Sequence, residues 1–372
     1  MPGPKLFEPL TIGGLTMANR IVIAPMCQYS AVDGAMTDWH TIHLGHLALS
    51  GAGLLTIEAT AVSPEGRISY ADTGLWDDAT EAAMAKTLAA IRSQSAMPIA
   101  IQLAHAGRKA STDLPWHGGA HIPPGAAASD SSSRGWQTVA PSAVPYAAHE
   151  HPPAALDDAG LVRIIEAFAA AARRSARLGL DAIQIHGAHG YLLHQFLSPL
   201  SNHRTDDYGG GLANRMRFPL AVFDAVRAAF PADKPVTMRI SGTDWVPGGW
   251  DIEQSIAFAQ ALEARGCSAI HISSSGLDPR QAIPIGPGFQ VPLARAIKAA
   301  TNMPVVAVGL ITEPEHAEAI LNNGDADMVA IARAILFDPR WPWRAAIALG
   351  AKVIPPDQYR RCLPRQVKDL FA

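Results

Sequence analysis

A chain of 372 residues, 48% hydrophobic and 17% charged, has an ordinary globular composition and room for one large domain or two modest ones. Its formal net charge of -3 gives no electrostatic reason to expect a nucleic-acid partner. Cys27, Cys267 and Cys362, widely spaced and odd in number, make neither a disulfide framework nor a CxxC metal motif, which fits a reducing compartment. The N-terminal residues lack a charged-then-apolar signal pattern, and no apolar run approaches the ~20 residues that span a bilayer. A cytoplasmic protein with no membrane partner is expected.

Short apolar runs recur along the chain, beginning with Ile21-Val-Ile-Ala24, Leu54-Leu-Thr-Ile-Glu58, Pro98-Ile-Ala-Ile-Gln-Leu103 and Asp181-Ala-Ile-Gln-Ile-His186. Pro235-Val-Thr-Met-Arg239, Ala269-Ile-His-Ile-Ser273, Pro304-Val-Val-Ala-Val308 and Asp327-Met-Val-Ala-Ile331 complete the series. Continuous apolar character without alternation marks strands buried on both faces. Amphipathic helical stretches, such as 159–178, 214–230 and 252–265, lie between them. Eight strands alternating with helices predict an α/β fold, a single (β/α)8 TIM barrel. A doubly wound open sheet is the alternative, but no GxGxxG follows the first strand.

Residues 105–157 break the pattern, being rich in Gly, Pro, Ser and Ala with little helical periodicity. So long a loop reads as a lid or excursion inserted after strand three, with a small hairpin expected around 138–146. No linker divides the chain, so residues 1–372 are read as one domain ending in a tail over 355–372.

Chemistry in such barrels collects at the carboxyl ends of the strands. Those positions here are Pro25-Met-Cys-Gln-Tyr29, Glu58-Ala-Thr60, Gln102, His186 with His189, Arg239, Gly309, and Ala332-Arg333. An amide, an arginine and small residues can frame a flat, hydrogen-bonding heterocycle. The last two loops are where barrels often bind phosphate. A planar, phosphate-bearing cofactor fits this inventory, and FMN is the natural candidate.

The densest cluster is His186-Gly-Ala-His-Gly-Tyr191, just past strand four. Imidazoles can hold a carbonyl or nitro oxygen, and a phenol can deliver a proton. A bare H-x-x-H also suits a structural histidine or a metal pair. No carboxylate or third histidine stands out nearby, so no metal is expected. His40, His43 and His46 lie at helical spacing and read as satisfied polar groups on a helix face, not ligands. Lys109 near the end of strand three is as readily a solvated loop lysine as a site residue.

The run from His186 through Leu192-Leu-His-Gln-Phe-Leu-Ser-Pro199, Asn202, Arg204, Asp207-Tyr-Gly-Gly210 and Asn214-Arg215 resembles the old yellow enzymes, FMN-dependent ene-reductases. Pro25-Met-Cys-Gln-Tyr29 points to their thermophilic-like, xenobiotic reductase A-like branch. This resemblance covers nearly the whole chain. It implies that Ala24, Pro25, Met26 and Cys27 line the flavin, that Ala59 and Gln102 contact its ring, and that Arg239 sits near N1 and the C2 carbonyl. Gly309, Ala332 and Arg333 would hold the phosphate. His186, His189 and Tyr29 would bind substrate, and Tyr191 would be the proton donor.

The implied activity is NAD(P)H-dependent reduction of C=C bonds in α,β-unsaturated carbonyl, maleimide or nitro compounds, by hydride transfer from flavin N5 and protonation by Tyr191. The family also implies a homo-oligomer, dimer or tetramer, in which Arg361 reaches a neighbouring subunit's site. Two departures are visible: Cys362 stands where those relatives place a tryptophan, and Gly211 where they usually have serine. Cluster-bearing dienoyl-CoA reductases need closely spaced cysteines that this sequence lacks. A flavin-free barrel lyase would want a Schiff-base lysine or a metal at a strand end. A non-catalytic flavin-binding protein is the remaining alternative.

Overall fold

Eight parallel strands close on themselves in chain order: β1 (Ile21–Ile23), β2 (Leu54–Ala61), β3 (Ile99–Ala104), β4 (Ala182–Gly187), β5 (Val236–Ser241), β6 (Ile270–Ser273), β7 (Val305–Ala307) and β8 (Met328–Ile331). The last pairs with the first, Val329 opposite Ile21 and Ile331 opposite Ile23. The computed structural model describes residues 3–130, 132–363, 367 and 369–371. The closed barrel settles the choice against an open doubly wound sheet.

Among the described residues, eight helices of nine residues or more surround the strands: α1 (Asp38–Ala48), α2 (Asp78–Arg92), α3 (Asp158–Arg177), α4 (Leu212–Ala229), α5 (Ile252–Glu263), α6 (Val291–Ala300), α7 (Pro314–Asn322) and α8 (Trp341–Leu349). Several start on side-chain caps that satisfy otherwise orphaned N–H groups. Asp157 accepts from Gly160 at 2.7 Å, Asp77 from Thr80 at 2.8 Å and Asp251 from Gln254 at 2.9 Å.

The strands are buried on both faces, yet their two sides differ. Ile101, Ile183, Ile185, Met238, Ile240, Ile270 and Ile272 belong to the large cluster shared with the helices. Val22, Leu54, Ala100, Ala182, Val306 and Met328 form a second, smaller cluster inside the barrel. Ile12 and Met17, from the hairpin Leu10–Ile12 with Leu15–Met17, join that inner cluster and close the N-terminal mouth. On the same inward parity, two residues further along, apolar Ala100 and Ala182 give way to Gln102 and Gln184. The barrel interior is therefore apolar at its base and polar toward the strands' carboxyl ends, as a fold with its site at that end requires.

Residues 105–157 form the expected excursion, but the hairpin expected around 138–146 is not there. Val139–Ala140 instead pairs in parallel with Ala154–Ala155. A parallel pair needs a crossover between its strands, which a tight turn cannot supply. Two short 3-10 turns, Gly107–Lys109 and Pro115–His117, fold the rest over the barrel mouth.

Candidate active site

Register brings the polar strand ends together. Ala59 on β2 lies opposite Gln102 on β3, and Gln102 opposite Gln184 on β4. His186 on β4 lies opposite Arg239 on β5, and Arg239 opposite His271 on β6. The register of β2 slips between Ile57 and Ala59, a bulge that falls at Glu58.

Glu58 is buried and holds the loop after β1. One carboxylate oxygen accepts from the Gln28 backbone N–H at 2.7 Å. The other accepts from Thr73 Oγ1 at 2.6 Å and lies 3.3 Å from His40 Nε2. His40 Nδ1 in turn accepts from the Thr37 backbone N–H at 2.9 Å. The segment carrying Cys27 and Tyr29 is thereby fixed from behind, and Tyr29 adopts a left-handed φ of 50°. Burial, then the Asp72 and Glu58 charges, push the Cys27 thiol well up, so it stays neutral.

The His186–Tyr191 turn is the centre of the arrangement. His186 meets His189 edge to face with ring centroids 5.1 Å apart, and meets Tyr191 likewise at 4.9 Å. His186 Nδ1 accepts the Ala188 backbone N–H at 3.2 Å, which puts the neutral ring's proton on Nε2. His189 has a φ of 58°, its N–H donates to Ser241 Oγ at 3.0 Å, and its Nε2 lies 2.7 Å from Ser273 Oγ. Burial, then the Arg239 charge, hold both imidazoles well below their ordinary range. Burial also raises the Tyr191 phenol well above its ordinary value, so it keeps its proton at neutral pH.

Beneath this turn, His194 Nδ1 accepts the Gly190 N–H at 2.9 Å, and its Nε2 lies 2.9 Å from Asp244 Oδ1. Asp244 also takes Ser198 Oγ at 2.6 Å and the Trp250 N–H at 2.7 Å. From the excursion, Lys109 Nζ donates to the carbonyls of His189 (2.9 Å) and Gly276 (2.8 Å) and sits 5.2 Å from the Tyr191 ring centroid. Burial, then Arg108, lower its pKa to about 8.

Two cavities flank the turn. One of about 220 Å³ is lined by His189, Arg239, Ser273, Gln290, Gly309 and Arg333, among others. The second, of about 350 Å³, lies under the excursion and includes Tyr29, Arg108, Lys109 and Tyr146. In the first, Arg239 is buried, its Nε has no hydrogen-bond partner, and no carboxylate pairs with it among the described residues. Burial lowers it only to about 10, so it remains a cation. An unpaired buried guanidinium calls for an anionic or electron-rich partner. An FMN ring, which gains negative charge on reduction, supplies one, and the residues present fit it.

The sequence profile of the NADH:flavin oxidoreductase / NADH oxidase family matches residues 5–351. The chain belongs to this family. It is 41% identical over 358 residues to an NADPH dehydrogenase of Geobacillus sp. (strain WCH70), covering 96% of this chain and 98% of that one. A solved structure of morphinone reductase superposes with a TM-score of 0.76 at 30% identity, covering 96% of this chain and 92% of that one. A 2-naphthoyl-CoA reductase complex has a TM-score of 0.81 but 24% identity. There the match covers 95% of this chain and 53% of the other, and it speaks for the fold alone. The chain is thus a flavin-dependent oxidoreductase of the old yellow enzyme type, with FMN as cofactor and a nicotinamide as reductant. A flavin-free lyase is set aside.

The structure gathers His189, Arg239, Gly309, Ala332 and Arg333 around one cavity, with His186 against His189 and Tyr191 against His186. Ala24, Pro25, Met26 and Cys27 follow β1, and Ala59 and Gln102 line the neighbouring strands. Arg361 is exposed in the tail and lines neither cavity of its own chain. His40, His43 and His46 do not converge: His40 is buried against Glu58, His43 stacks on Trp39, and His46 is exposed. Ser273, Ser274 and Gln290 belong to the site and were not anticipated. Three consecutive serines ending β6 were the available signal.

Proposed function

We propose that this protein is an NAD(P)H-dependent ene-reductase acting on activated alkenes such as enones, maleimides and nitro compounds. The observation that carries this reading is two neutral imidazoles and a protonated phenol clustered beside an unpaired arginine at the open end of the barrel. FMN, when bound, carries two electrons from the nicotinamide to the alkene. Ala24, Pro25, Met26, Cys27, Ala59 and Gln102 would hold its ring system, with Arg239 compensating negative charge there. Gly309, Ala332 and Arg333 would hold its phosphate.

The remaining chemistry belongs to the side chains. His186 and His189, being neutral, act on the substrate oxygen as hydrogen-bond donors and not as acids. Negative charge builds on that oxygen as the β-carbon is reduced, and each donor contributes on the order of 2.7–4 kcal/mol there. Tyr191 gives its proton to the α-carbon, which completes the addition of two electrons and two hydrogens across the double bond. Tyr29 adds a hydrogen bond to substrate. The separated cysteines suit a reducing cytoplasm, and a homo-oligomer would let Arg361 complete a neighbour's site.

The test is anaerobic reduction of the purified yellow protein by NADPH, followed by mixing with cyclohexenone, N-phenylmaleimide and a nitroalkene. Rapid return of the yellow colour with at least one acceptor is expected. Bleaching by NADPH with no acceptor faster than buffer would leave a flavin carrier and sink the ene-reductase reading.

A further inference from the structure

A line of polar side chains crosses the barrel interior from Gln102. Gln102 Nε2 donates to Gln184 Oε1 at 2.7 Å, and Gln184 Nε2 lies 3.3 Å from His271 Nδ1. The three side chains are 1%, 6% and 1% exposed. Packing alone does not explain them, because small apolar residues fill the layer beneath and a buried polar group costs stability unless it is bonded.

The bonds have a direction. An amide nitrogen only donates and an amide oxygen only accepts, so Gln184 can receive from Gln102 only by giving its own N–H to His271. Nδ1 of His271 must then be the acceptor, with the ring proton on Nε2. Burial, then the charge of Arg239, keep that ring neutral and Nδ1 open. Were Nδ1 to carry a proton, Gln184 would have to turn over, and Gln102 with it. As the chain runs, Gln102 Oε1 has no partner among the described residues, and one hydrogen of its Nε2 remains free. An acceptor beside a donor is the complement of the N–H and C=O of a pyrimidine-dione edge.

We propose that Gln184 and His271 are positioning residues that fix which way Gln102 presents its amide to the pyrimidine edge of the flavin. This rests on Gln102 contacting that edge, and the experiment separates the two claims.

The apoprotein is titrated with FMN and with N3-methyl-FMN, which lacks the ring N–H, and binding is read from quenching of flavin fluorescence. The parent should prefer FMN by about tenfold, the scale of one hydrogen bond. Gln184→Met and His271→Leu should each reduce that preference to within about twofold. Gln184→Glu, which can still accept from Gln102, should keep most of it. If one of the apolar variants does not fold, the other carries the comparison. The relay is overturned if the apolar variants keep the parent preference while Gln102→Met abolishes it. A preference that survives Gln102→Met removes the contact itself, and the relay with it.

Discussion

His189 Nδ1 lies 3.4 Å from His186 Nε2, with the ring planes at 87°. These two ring nitrogens lie within hydrogen-bonding distance of each other, and in the proposed function one substrate oxygen sits at a point where each can donate to it. Anionic phenols probe that point directly. Replacing either histidine with alanine should weaken binding of p-hydroxybenzaldehyde by about 10- to 100-fold, the scale of one hydrogen bond to a charged oxygen. The double variant should lose the long-wavelength charge-transfer band, and an undiminished band would place the anion elsewhere.

Tyr191 separates the two halves of the cycle. Its buried phenol stays protonated, so it is a donor and not a base. In stopped-flow measurements, Tyr191→Phe should leave flavin reduction by NADPH within about twofold and slow alkene reduction by about 10²- to 10⁴-fold. Equal loss in both halves would count against a proton donor.

Acid should weaken the fold before the ordinary carboxylates titrate. His105, lowered to about 4 by burial, and His186, His189 and His271, lowered well below the ordinary value, are all neutral when folded. The unfolded chain protonates them near pH 6.5, so it binds more protons below that point, and stability falls as pH falls from about 6.5. Asp72 acts oppositely: burial raises it to about 7, so it gains stability as pH falls from 7 toward 4. One carboxylate against four histidines leaves the net sign unchanged. Urea midpoints should be lower at pH 5 than at pH 7.5, and His105→Gln should flatten the difference. An equal or higher midpoint at pH 5 would contradict this.

The His194–Asp244 pair is fully buried, so removing one half leaves the other without water to replace it. His194→Leu strands the Asp244 carboxylate in the interior and should cost about 3–5 kcal/mol in urea unfolding. It also frees the Gly190 N–H, so holoenzyme that survives should show a raised KM for cyclohexenone. A variant as stable as the parent would mean that Asp244 is satisfied without it.

Arg361 tests the oligomer. If its guanidinium serves a neighbouring subunit's site, Arg361→Ala should raise KM or lower kcat for cyclohexenone without moving the FMN affinity. Unchanged KM and kcat would remove Arg361 from the site.

The barrel was legible because all eight strands are continuous apolar runs, and each formed where its run lies. The histidine turn was legible because glycines and a phenol sit beside the imidazoles at a strand end. Glu58, Lys109 and His194 were harder to read, since their roles come from chain neighbours far away in sequence: Gln28, Gly276 and Asp244. The inward parity of Gln184 and His271 was hidden by the same continuous burial that revealed the strands. Val139–Ala140 misled because its two-residue strand pairs with a partner 15 residues on, in parallel, where sequence proximity suggested a tight turn.

Gly190 and Gly276 meet backbone to backbone: a methyl group on Gly190 would fall 2.1 Å from the Gly276 carbonyl oxygen, and one on Gly276 would fall 2.5 Å from that of His189. The loops after β4 and β6 therefore form a single mechanical piece. For anyone reshaping substrate scope, this divides the barrel mouth in two. Grafts into the β6 loop will drag the oxygen-holding histidines with them, whereas the 105–157 excursion can be exchanged beyond His105, Arg108 and Lys109, which bond to Leu192, Leu277, His189 and Gly276.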